Sequence, residues 1–101
     1  MMGAVFVGAV QLDLLLGDVG SLKHKRAVVR PLLAELRRRF DVAAAETDAQ
    51  ELWRRTTVGV ATVSGTAEQV ASVCDAVERW AWTRPEVEVV RVTRSVRSID
   101  D

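Results

Sequence analysis

Tyrosine is absent from this chain, cysteine and histidine occur once each, and the formal net charge is zero. Each shortage closes off a class of function. A lone thiol, Cys74, makes no internal disulfide and fits a reducing compartment. One histidine and one cysteine do not build a nucleophile, base and orienter, so no catalytic residue is assigned and no enzyme is expected. The same scarcity gives no metal site and implies no cofactor. Sheet-face base stacking needs aromatics on the central strands, and here Phe6 falls on the parity assigned to the core, so that mode is not expected. The apolar run from Val5 to Leu16 lacks a basic leading region and a small-residue cleavage site, and Gln11 and Asp13 interrupt it. It is too short to span a bilayer as a helix. The expectation is a cytoplasmic protein with no membrane partner.

What remains is a valine-rich sequence with 49% hydrophobic and 28% charged residues, suited to one globular domain over 1–101. Phe6, Val10, Leu12 and Leu14 share one parity and Gln11 and Asp13 the other, the signature of a strand with one face in the core. Gly17 to Gly20 turns the chain, and Ser21 is placed to cap a helix running to about Phe40. Pro31 lies inside that helix, where a missing N–H and a ring clash cost about 3 kcal/mol. The reading taken is one kinked helix; the alternative is a separate turn over 22–30 with Pro31 opening the longer piece. Asp41 to Asp48 suits an edge strand and Thr56 to Ser64 a central one. Thr66-Ala67-Glu68-Gln69 carries the capping-box pattern ahead of a second helix with Val70, Val73, Cys74, Val77, Trp80 and Ala81 at helical spacing. Val87 to Val96 supplies the last strand. The fold class is α+β: a ferredoxin-like βαββαβ sandwich, two helices on one face of a four-stranded sheet.

The cations are concentrated. At 100° per residue, Lys23, Arg26, Arg30 and Arg37 form one stripe beside an apolar stripe of Leu22, Val29, Leu33, Leu36 and Phe40. Such a line suits an anionic partner, though arginine stems also serve to cover apolar neighbours on a solvated flank. Arg37, Arg38 and Arg39 complement the helix dipole at its C-terminus; Lys23, Lys25 and Arg26 sit at the opposite end, where cations are disfavoured. The anion- or RNA-binding candidates are therefore Lys23, Lys25, Arg26, Arg30 and Arg37. Trp53, with Arg54 and Arg55, is a possible partner contact, the other reading being a tryptophan folded over the end of the core. Glu46, Asp48 and Glu51, with His24, are the set to weigh for a cation or acid–base chemistry, though nothing in the sequence brings His24 to the carboxylates, and an edge strand protected against self-association is the commoner reason for such residues. Cys74 reads as a packed small hydrophobe. Val5, Val7 and Ala9, with Val58 or Val63, leave an apolar patch on the second sheet face, from which a homodimer is expected.

Ser21-Leu22-Lys23-His24-Lys25-Arg26, with Ala45-Glu46-Thr47-Asp48-Ala49-Gln50-Glu51-Leu52-Trp53 and the Pro85-Glu86-Val87-Glu88 entry to the last strand, resembles the YlxP-like family of small bacterial proteins, a domain of unknown function. The resemblance implies a ferredoxin-like fold and a bacterial cytoplasmic setting. Genes of such proteins often neighbour those for translation initiation and ribosome maturation, which implies an RNA or ribosome role. His24 stands where such proteins more usually have an acidic residue, making this surface more basic, and Pro31 where they usually have a non-proline, which bears on the regularity of the helix. The leading expectation is a non-enzymatic RNA- or ribosome-associated module. The alternatives are a small-molecule regulatory domain like the ACT domains and a self-associating structural module.

Overall fold

A computed structural model describes residues 4–100. The elements are β1 (Phe6–Leu15), α1 (Leu22–Phe40), β2 (Ala43–Asp48), β3 (Arg55–Ser64), α2 (Ala67–Trp82) and β4 (Glu88–Ser98). All pairings are antiparallel and the strand order is β2-β3-β1-β4, the ferredoxin-like sandwich expected from the sequence. Val10, Leu12 and Leu14 of β1 and Val58 and Val60 of β3 face the helices and are buried. The strand parity read from the sequence holds.

Both helices start as their caps dictate. Ser21 is extended and its hydroxyl accepts from the His24 N–H at 3.0 Å. Thr66 does the same for Gln69. Only half of the capping box forms, since the Thr66 N–H goes to the Ser64 hydroxyl, 3.4 Å away, rather than to Gln69. α1 runs unbroken through Pro31, whose ring is on the exposed face. The helix ends at Asp41 in the left-handed region, with its N–H bonded to the Arg37 carbonyl.

The buried line of α1 corrects the phase expected from sequence. It consists of Lys25, Val29, Leu32 and Leu36, not Leu22, Leu33 and Phe40, which are half-buried. The helix is turned so that a lysine enters the core-facing row, where Glu46 of β2 and the Ala49 carbonyl just beyond it are its partners. α2 buries Val70, Cys74, Val77, Trp80 and Ala81. Gly8 of β1 lies beneath this row: a Cβ there would overlap Val70 Cγ1 and stand 2.9 Å from Cys74 Sγ, so glycine is required by the approach of α2. A bond from the Trp80 indole N–H to Glu35 at 2.7 Å joins the two helices, and Arg84 meets the same carboxylate at 2.9 Å. These donors, the indole foremost, hold the Glu35 carboxyl below its ordinary value of 4.5 against the opposing effect of desolvation.

Candidate functional site

The topology brings the β1–α1 turn, the first turns of α1 and the β2–β3 loop to one end of the sheet. Leu16 N–H donates to the Arg54 carbonyl at 2.9 Å, and Arg54 contacts the Val19 carbonyl and Asp18, both at 3.5 Å. Lys25 completes the junction. Its ammonium meets Glu46 Oε2 at 2.8 Å and also donates to the Ala49 carbonyl. Thr56 donates to the same Glu46 oxygen at 2.6 Å. Ala49 is held at φ 59, a strained conformation for a residue with a Cβ, by Lys25 on its carbonyl and Asp48 on its N–H.

Lys25 is therefore not part of an exposed anion-binding stripe. It is 2% exposed and spent on an internal ion pair. Arg37 also leaves the stripe in function, because its guanidinium donates twice to the Ala44 carbonyl, at 2.6 and 3.1 Å, and fastens the helix end to β2. Lys23, Arg26 and Arg30 remain. All three are exposed, and none has a hydrogen-bond or ion-pair partner among the described residues. They occupy adjacent positions at spacings of three and four, and the first turn of α1 contains no acidic residue.

A cavity of about 350 Å3 opens beside these cations. Leu22, Val29 and Leu33 floor it, Arg26 and Arg30 rim it, and the Lys25–Glu46 pair and Gln50 close its far side. Glu46 was assigned from sequence to a solvated edge. It lies instead under α1, on the face of buried Val42 and Ala44 and opposite Val58, while the register shift after it puts Asp48 opposite Thr57 on the other face and so separates the two carboxylates. His24 is exposed and meets neither. Among the described residues no group of three His, Cys, Asp or Glu side chains is arranged to hold a metal ion. Burial pushes the Cys74 thiol up; Arg94 is near enough to oppose this, a cation the sequence had not placed there, but desolvation wins.

Trp53 and Leu52 are exposed at the loop tip, about half their surfaces open, and line a shallow recess with Leu15 and Arg55. Arg55 has no partner among the described residues, whereas Arg54 is committed to closing the turn. On the opposite sheet face, Ala9, Ala43, Ala45, Gly59 and Ala61 make a smooth, small-residue surface edged by exposed Val7 and Val63. Among the described residues no helix is long and apolar enough to cross a membrane.

A family model described as "Protein of unknown function (DUF503)" matches residues 7–94. A curated relative from Bacillus subtilis (strain 168), described as "Uncharacterized protein YlxP", is 33% identical over 82 residues, covering 81% of this chain and 89% of the relative.

Proposed function

The chain belongs to the DUF503 family, and from that premise we propose a non-enzymatic, cytoplasmic, RNA- or ribosome-associated module that binds through the exposed flank of α1. The observation that carries the reading is the unpaired state of Lys23, Arg26 and Arg30. Among the described residues Arg37, Arg39, Arg54, Arg84 and Arg94 each have a carbonyl or carboxylate partner, while Arg38, Arg55, Arg79, Arg91 and Arg97 are also unpaired; what sets Lys23, Arg26 and Arg30 apart is that they stand together on one face of α1. These three have no partner, their like charges repel one another at spacings of three and four, and Lys23 and Arg26 also stand toward the helix end whose dipole disfavours cations. An external anion relieves both costs. Contacts of this kind fall on phosphates, which position a partner without reading its sequence.

Anisotropy with a structured RNA, or ribosome co-sedimentation across a salt series, tests it. Affinity should fall with a logarithmic slope of about −0.7 to −0.9 per phosphate neutralised. Lys23→Glu with Arg26→Glu should abolish association and leave the fold intact, while Glu68→Lys on α2 changes little. Binding that survives the double reversal, or no association at low salt, sinks the reading.

A second reading, a homodimer through the open sheet face, is favoured by the exposure of Val7 and Val63 beside the small, uncharged row Ser95-Ala9-Ala61-Ala43, with Arg97 next to Val7 at the margin. Sedimentation should show dimers lost in Ala61→Arg, which sits between Ala9 and Ala43; a wild-type monomer at tens of micromolar removes the reading.

A further inference from the structure

The hollow that Arg26 and Arg30 rim has more structure than phosphate contact requires. Its volume, about 350 Å3, is at the lower end of the range of about 300–1,000 Å3 typical of small-molecule sites. Its lining holds three cations, Lys25, Arg26 and Arg30, against one carboxylate, Glu46, and so carries a surplus of two positive charges. A net anion fits; a zwitterion does not balance it.

Hydrogen-bonding capacity narrows the choice. Lys25 and Thr56 both take Oε2 of Glu46, and Oε1 has no partner among the described residues. Gln50 donates through Nε2 to the Glu46 carbonyl at 3.2 Å, which leaves its amide oxygen as a second free acceptor. The site thus offers donors at the rim, an apolar floor of Leu22, Val29 and Leu33, and acceptors on the far side. A fatty carboxylate has no N–H for those acceptors, and inorganic phosphate leaves the floor wet. The ammonium of an amino acid would lie beside Lys25, which already neutralises Glu46.

The geometry points to a nucleoside 5′-phosphate unit: phosphate between Arg26 and Arg30, base laid on Leu22, Val29 and Leu33, and its amino or ring N–H toward Glu46 and Gln50. Free nucleotides and unpaired residues of an RNA strand both present this unit. In the second case the site rests on the RNA reading above and makes the basic flank selective for an unstacked nucleotide over a plain duplex.

NMR titration of the full chain decides it, following the methyls of Leu22, Val29 and Leu33 and the Gln50 side-chain amide. The probes are the four nucleoside 5′-monophosphates, ribose 5-phosphate, the free nucleosides, L-leucine, a single-stranded RNA octamer and an RNA hairpin stem. At least one monophosphate or the octamer should move these signals. Ribose 5-phosphate and the nucleosides should bind about tenfold more weakly or worse, since each keeps half of the contacts. Arg26→Gln with Arg30→Gln should weaken binding by a similar factor with the remaining spectrum unchanged. Response to the octamer but not the stem assigns the source to RNA. Response to monophosphates with no RNA association retains the site and ends the RNA reading. RNA association with all floor signals silent overturns the site and leaves that reading standing. Leucine moving the signals as strongly as any nucleotide overturns the assignment.

Discussion

Gly8 under α2 and Lys25 in α1 mark two ways of seating a helix on the same sheet. Around Gly8 the contact is dry and close: Val70, Cys74 and Val77 are almost wholly buried, and no added methyl has room. Around Lys25 the contact is polar and hollow, with an ion pair, a threonine hydroxyl and a cavity, where Val70, Cys74 and Val77 of α2 pack without a polar contact to the sheet beneath them. Dense packing resists change of any kind and leaves nowhere for a ligand to go. A polar junction fixes helix and loop through a few directed bonds and tolerates empty space beside them. The difference sets a tightly packed contact around Gly8 against a hollow, polar one around Lys25.

The strongest way to break the comparison is to remove the ammonium. Lys25→Ala leaves Glu46 charged under α1 and should cost about 3–5 kcal/mol in urea unfolding. Replacing the group as a set, Lys25→Met with Glu46→Leu and Thr56→Val, should recover most of that loss, because a buried ion pair adds little over apolar packing. An unchanged stability for Lys25→Ala would mean that water reaches the pair. On the dry side, Gly8→Ala should cost about 1–3 kcal/mol from overpacking against Val70 and Cys74. Indifference there would show α2 to be as adaptable as α1. Ala49→Gly acts in the other direction: relief of the left-handed backbone should stabilise by about 0.5–1 kcal/mol, read as a higher unfolding midpoint. The smallest effect belongs to Glu35, which bridges the two helices. Its folded carboxyl titrates below 4.5, so its stabilisation is present above that value and is lost as pH falls through the lower folded one. Between pH 6 and 3 the wild-type melting temperature should therefore drop further than that of Glu35→Gln; superimposable profiles would remove Glu35 from the acid response.

Strand parity and both helix caps were legible because they depend on neighbours in sequence. Val10, Leu12 and Leu14 alternate whatever packs on them, and Ser21 caps through the next turn. The fate of Lys25 depends on β2 and β3, which lie far along the chain. A signal was nevertheless present: Lys25, Val29, Leu32 and Leu36 recur at spacings of four, three and four, a core-facing row whose first member happens to be charged. Sorting residues into charged and apolar before examining spacing put Lys25 in the wrong row and displaced the helix phase toward Leu33. The inward face of Glu46 follows from its alternation with Val42 and Ala44; the separation of Asp48 from it rests on the register shift between them, which period-two reasoning does not contain. Arg37 was misplaced for a similar reason, since its partner is a backbone carbonyl and backbone carbonyls leave no trace in residue identity.

Of the four strands β1 is the N-terminal one, yet it occupies the interior of the sheet and takes its second neighbour from the C-terminal one, Phe6 opposite Ser98. While the chain is being made, β1, α1, β2 and β3 can assemble, but one edge of β1 stays open until β4 arrives. Closing it joins segments separated by nearly the whole sequence, the kind of pairing that slows folding and sets its order. A nascent or truncated chain lacking β4 would present β1's unpaired N–H and C=O groups as a template for another strand. The finished protein thus has its longest-range seam inside the sheet, along one side of β1, and exposure of that side during synthesis is the aggregation hazard of this topology.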